Sequence, residues 1–210
     1  IMTGLYPRIH NVLDNMNRPL RDEFTTLAEI LRRENYNTAM FVNVDHIGPG
    51  VGMHQGFDTS FVYFQNKAPV QVMLRGSTLF DAGFRVWNRL QKKRLGSDPE
   101  EESFPVVRRW VAGEMKEPFF LWFHSFIPHL PYDPDSGSLE TLGIAARGAF
   151  TMDEWKYSTW NKLDYEPRKV RKIRQLYSAE ILQADRVVSE LAGDLETAGV
   201  LDETLLVVTA

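Results

Sequence analysis

After Pro118 the chain runs Phe119-Phe120-Leu121-Trp122-Phe123 and reaches His124 without a polar residue in between. A strand with one wet face alternates apolar and polar side chains, so a run without alternation has both faces covered. That condition is met in the middle of a parallel sheet with helices packed on it. The run is therefore expected to be a central strand. Thr38-Ala39-Met40-Phe41-Val42 is a second such segment, and the largely apolar stretch 205–209 is expected to be a third.

Helix signals separate these segments. Thr26-Leu27-Ala28-Glu29 has the spacing of a capping box and opens a helix to about Asn35. Further helices are expected over 77–94 and 104–115. After Pro167, Ile173, Leu176, Tyr177, Ile181, Ala184, Val187, Val188, Leu191 and Leu195 recur at helical intervals, and Gly199 is the stop signal. The stretch 46–56 reads as a loop and 137–165 as an irregular surface excursion. Short apolar strands alternating with helices give an α/β chain, a three-layer αβα sandwich with a largely parallel central sheet.

Composition narrows the function classes. Hydrophobic residues make up 43%, charged residues 25%, and the net charge is -4, a globular balance that leaves no nucleic-acid footprint. The local basic run Arg168, Lys169, Arg171, Lys172 and Arg174 reads as a solvated helix face. With no Cys, neither a disulfide nor a thiolate metal site can form here. No run approaches the roughly 18 to 20 apolar residues that span a bilayer, so no membrane segment is expected in this portion.

Open α/β sheets bind ligands at the carboxyl ends of their strands, which singles out His46, His124 and His129. His129 has two readings, a turn residue held between Pro128 and Pro131 or a site residue. His124 reads as a strand terminator or packing residue. No carboxylate pair completes a metal set with these histidines, so no metal ligand is assigned; Asp133 and Asp135 read as turn residues. A search for a nucleophile finds no Gly-x-Ser-x-Gly elbow and no phosphate-binding loop.

Four segments, in order, resemble the sulfatase family of the alkaline phosphatase-like superfamily. Met2-Thr3-Gly4-Leu5-Tyr6-Pro7 with His10-Asn11-Val12 looks like the tail of the sulfatase signature. The segment 26–41 is similar to the helix and strand that follow it, with Gly56-Phe57-Asp58 as the downstream marker. The segment 119–134 resembles the buried strand and Pro-His-x-Pro turn, and 177–209 the long helix and strand beyond. The chain begins Ile1-Met2-Thr3-Gly4 and stops in the apolar run Val207-Val208-Thr209-Ala210, so both ends read as cut. Residues 1–210 are accordingly expected to be part of a sulfatase catalytic domain.

The resemblance implies hydrolysis of sulfate esters by a formylglycine nucleophile and a Ca²⁺-like ion, on a sulfated small molecule or glycan. It implies a periplasmic or secreted protein if the chain is typical of the family. The formylglycine and the cation ligands are expected outside these residues, so the segment alone is expected to be inactive and to lack a tight divalent-cation site. His129 matches the histidine that contacts the sulfate. Many relatives carry Gly-Lys-x-His after the second strand, where this chain reads Phe41-Val42-Asn43-Val44-Asp45-His46. No lysine stands there, and His46 is the candidate to replace the missing substrate-binding histidine. That departure keeps open a phosphomonoester or phosphonate hydrolase, or a phospho-group transferase, of the same superfamily. A non-catalytic sulfatase-like binding protein is the alternative from another class.

Overall fold

The computed structural model describes residues 2–13, 18–44, 47–63, 70–71, 99–145, 148–160 and 165–209. His46 and the helix expected over 77–94 lie outside the described residues. The chain divides into two compact units, Ile1–Ser125 and Phe126–Ala210.

The first unit carries helices α1 (Pro7–His10), α2 (Leu27–Arg33) and α3 (Pro99–Gly113) and strands β1 (Asn37–Val42), β2 (Thr59–Val62), β3 (Val70–Gln71) and β4 (Phe119–His124). The described strands form one open sheet in the order β3-β2-β1-β4. β1 pairs in parallel with β2 and with β4, while β3 runs antiparallel to β2. Three parallel strands with helices make the chain α/β, as expected. The expected position of the 119–124 run is corrected, however. β1 is the inner strand, with residues Thr38 to Val42 all buried, and β4 flanks it with all six residues only partly buried. Among the described residues β4 has a ladder partner on one side only.

Both faces of β1 are apolar because both are covered. Met40 and Val42 cluster with Val62, and Ile47, Phe57 and Trp122 pack against them. On the opposite face Phe41 meets Trp110 of α3 at 6.0 Å, and Trp110 meets Phe119 at 6.4 Å. The buried stripe of α3, Phe104, Val107, Trp110 and Val111, has the three-to-four-residue spacing of one helix face.

The Gly56-Phe57-Asp58 marker has a structural explanation residue by residue. Gly56 has φ +86°, and a Cβ there would overlap the backbone of Ala28 and Glu29 at the start of α2. Phe57 stacks on Phe120 at 5.6 Å and on Trp122 at 6.0 Å. Asp58 accepts a hydrogen bond from the Thr38 N–H at 3.3 Å and pairs with Arg32 at 2.8 Å. The Thr38 hydroxyl donates to the Gly56 carbonyl at 2.8 Å and accepts from the Asp58 N–H at 2.9 Å. Thr26 and Glu29 form the expected capping box, and the Thr26 hydroxyl also donates to the Gln55 carbonyl at 2.9 Å. α2 is thus fastened to the loop that precedes β2.

The second unit contains α4 (Ser136–Thr141), α5 (Met152–Trp160), α6 (Pro167–Thr197) and a 3-10 turn at Leu201–Glu203. The irregular excursion expected over 137–165 is corrected by α4 and α5. Asp135 caps α4, accepting from the Ser138 N–H at 2.8 Å, a local signal that a Gly- and Ser-rich composition conceals. α6 begins at Pro167 as expected, and Gly199 beyond its end has φ +76°. Its buried positions are Leu176, Ala179, Glu180, Gln183, Val187, Leu191 and Leu195. Two of these are polar, while the apolar Tyr177 and Ile181 are exposed. In the basic run Arg168, Arg171 and Arg174 are exposed, whereas Lys169 pairs with Glu154 at 3.3 Å.

The strand expected over 205–209 is also corrected. That segment is irregular, and Leu205, Leu206, Val207 and Val208 are all exposed. β-branched composition favours a strand only where a neighbouring strand supplies hydrogen bonds and a surface to pack on. Among the described residues none pairs with it.

Two glycines test this description. Gly56→Ala is expected to destabilise the protein by about 2 kcal/mol or more, because a Cβ must enter occupied space at positive φ. Gly193→Ala, inside α6 with open space around the added Cβ, is expected to stabilise it by about 0.5 to 1 kcal/mol. Urea midpoints for the two variants check both signs.

Candidate active site

In the first unit, β4 brings His124 into register with Val42 of β1, so His124 stands at the carboxyl end of the parallel ladder. The residue after Val42 is Asn43. It is fully buried, and neither atom of its side-chain amide has a hydrogen-bond partner among the described residues. A buried amide with unmet hydrogen-bonding capacity at the ligand-binding edge of an α/β sheet is a functional candidate. A search for titratable groups passes over it. The same unit has a hollow of about 370 Å³ lined by His10, Asn11, Arg18, Pro19 and Arg21. Its cations are partly engaged: Arg18 donates to the Asn11 side-chain carbonyl at 2.7 Å and Arg21 pairs with Glu23 at 2.5 Å.

In the second unit, the Pro128-His129-Leu130-Pro131 segment forms a tight turn. The His129 N–H donates to the Phe126 carbonyl at 2.8 Å, and the two rings lie 4.6 Å apart. The imidazole Nδ1 lies 2.7 Å from the Leu130 carbonyl oxygen. A carbonyl can only accept, so this contact assigns the proton to Nδ1 and leaves Nε2 as the free ring nitrogen. His129 is exposed. One nitrogen therefore orients the ring, and the other is open to a ligand.

The chain after the turn is fixed by its neighbours. Tyr132 and Phe150 exchange backbone hydrogen bonds, each 2.9 Å, and their rings stack at 6.0 Å. Burial pushes the Tyr132 phenol above its ordinary value, and the nearby Tyr177 and Glu180 push it the same way. The Asp133 N–H donates to the Glu180 carboxylate at 2.6 Å, and the Asp135 N–H to the Gln183 side-chain carbonyl at 3.2 Å. Arg186 donates to the Asp135 carboxylate at 2.6 Å. Asp133 and Asp135, expected as turn residues, are thus bonded to one helix. Burial alone would raise the Asp135 carboxyl, but the bonds from Arg186 and Ser138 outweigh it and hold it below its ordinary value of 3.8.

Among the described residues no group of three or more His, Asp or Glu side chains could hold a metal ion. No helix among them is long and apolar enough to cross a membrane.

A model of the family described as Sulfatase matches residues 1–210. This chain belongs to the sulfatase family. Solved structures share the fold. A Bacteroides thetaiotaomicron protein from a core genetic locus for the metabolism of multiple glycosaminoglycans aligns with a TM-score of 0.61 at 15% identity, over 97% of this chain and 49% of that one. The phosphonate monoester hydrolase of Agrobacterium radiobacter aligns with a TM-score of 0.55 at 16% identity, over 97% of this chain and 50% of that one. A protein solved in complex with its substrate D-glucosamine-2-N,6-O-disulfate aligns with a TM-score of 0.55 at 16% identity, over 96% of this chain and 52% of that one. The chain spans about half the length of these structures. No curated protein sequence matches it.

Asp135 gives this chain a pH signature. Its folded pKa lies below the unfolded one, so its contribution to stability is fully present above the unfolded value and is lost as pH falls through the folded value. Asp135→Asn is expected to lower the urea midpoint near neutral pH, by the equivalent of under about 1 kcal/mol of stability for so exposed an ion pair. The difference from wild type should vanish once the wild-type carboxyl is itself protonated, which a series of midpoints against pH would show.

Proposed function

We propose that this chain is part of the catalytic domain of a sulfuric ester hydrolase, and that His129 acts on the ester. The observation that carries this reading is the geometry of His129 within a family match that runs the length of the chain. Cleaving the S–O bond of a sulfate ester leaves an alkoxide or phenoxide, which needs a proton, and builds negative charge on the departing oxygen. An imidazolium held through Nδ1 by the Leu130 carbonyl offers Nε2–H to that oxygen or to a sulfuryl oxygen. The restraint fixes the ring before substrate arrives, so little ordering remains for the transition state.

A sulfated small molecule or glycan is the substrate class, in keeping with the structural neighbour solved with a disulfated glucosamine. A formylglycine and a Ca²⁺-like ion would supply the nucleophile and the charge neutralisation. The described residues do not themselves fit a cation site, and the chemistry assigned to His129 passes through neither group. His46 belongs to the proposal as a substrate-binding residue, in the place where many relatives carry the histidine of Gly-Lys-x-His. The likeness to a phosphonate monoester hydrolase supports a second reading, hydrolysis of a phosphonate or phosphate ester with His129 in the same role.

In the intact protein His129→Ala is expected to lower kcat by about two to four orders of magnitude. His46→Ala should cost less than about tenfold, since a substrate-binding contact positions the ester without carrying the proton. Turnover of an aryl sulfate beside an aryl phosphonate separates the two readings. Full activity of His129→Ala on both substrates would remove His129 from the mechanism.

A further inference from the structure

α6 buries two polar side chains on its core stripe. Glu180 is 5% exposed and Gln183 is 7% exposed, at positions where the neighbouring turns of the stripe place Leu176, Val187 and Leu191. Leucine or valine there would pack without the cost of desolvating a carboxylate or an amide. What the two side chains do is bind backbone. Glu180 takes the Asp133 N–H and Gln183 takes the Asp135 N–H. Pro131 and Pro134 have no N–H, and the Tyr132 N–H goes to Phe150. Every backbone donor from Pro131 to Asp135 is therefore held, two of them by α6. This clamp begins four residues after His129.

We propose that Glu180 and Gln183 are positioning residues that hold the His129 turn in register for catalysis, an inference that rests on the role assigned to His129 above. Phe126 anchors the turn from the upstream side through the His129 N–H, and the helix anchors it from the downstream side. Arg186, one turn further along α6, extends the clamp through the Asp135 side chain. Residues 180, 183 and 186 advance along the helix as the extended chain advances past it. The alternative is that the two side chains only satisfy buried amides. In that case their loss would lower stability and leave His129 indifferent.

The test uses Glu180→Leu, Glu180→Gln, Gln183→Leu, His129→Ala and the double variant His129→Ala/Glu180→Leu in the intact protein, with an aryl sulfate as substrate. Glu180→Leu is expected to lower kcat by about tenfold to a hundredfold, with KM changed by less than about threefold, because a displaced acid weakens the transition state more than the ground state. Glu180→Gln keeps an acceptor at the same place and should retain kcat within about threefold. If Glu180 acts through His129, the double variant is no slower than His129→Ala alone; independent roles would multiply. Full activity of a folded Glu180→Leu, or multiplied losses in the double variant, would overturn the proposal. Should Glu180→Leu not fold, Gln183→Leu decides by the same cycle with His129→Ala. If His129→Ala proves fully active, the catalytic role of His129 fails by itself, and amide hydrogen exchange then reads the clamp separately. Loss of protection at Asp133 in Glu180→Leu, restored in Glu180→Gln, supports the clamp, and unchanged protection refutes it.

Discussion

The hydrogen bonds between Thr38 and Asp58 fix the start of β1 against the start of β2, and the rest of the first unit depends on that register. Two parallel strands have no hairpin turn to align them, so something else must choose among pairings. Here Thr38 and Asp58 bond at the residues just before the Ala39 to Thr59 pair. Asn37 does the equivalent work for β4, its side-chain carbonyl accepting from the Lys116 N–H at 3.0 Å and its own N–H donating to the Pro118 carbonyl at 2.8 Å. A slip of one residue on either side would turn Met40 and Val42 away from the cluster they form with Val62. Polar contacts at the strand starts thus decide where the apolar surfaces meet.

In the second unit polar contacts hold a loop in the same way. The turn at His129 closes on itself through the His129 N–H and the Phe126 carbonyl, and its continuation borrows acceptors from α6. A carboxylate and an amide on a helix's core stripe sacrifice packing, and what they gain is a defined path for the chain beside them. The ring of His129 is held more locally, its Nδ1 lying 2.7 Å from the Leu130 carbonyl oxygen.

The strongest periodic signals in the sequence translate directly into structure. The capping box at Thr26 and Glu29, the proline start and glycine stop of α6, and the apolar runs of β1 and β4 all form the expected elements. Which of the apolar runs is innermost is not legible, because composition says that a strand is covered and not by what. The short strand β2 is missed for a related reason, since four residues are too few to establish a period. Glu180 and Gln183 interrupt an apolar stripe that the sequence completes with Tyr177 and Ile181, and only the positions of Asp133 and Asp135 explain the exchange. His129 is legible through its prolines and a family pattern. Asn43 is not, because an amide after a strand is ordinary until its burial is known.

The segment from Leu205 to Val208 has a consequence for how this polypeptide behaves in solution. Four branched aliphatic residues lie open to water, Leu205 at 88% exposure, with no ladder among the described residues to occupy their backbone. Such a stretch is a template for a strand from any chain that meets it, and self-association through it grows with concentration. No charge or proline within the run discourages such pairing.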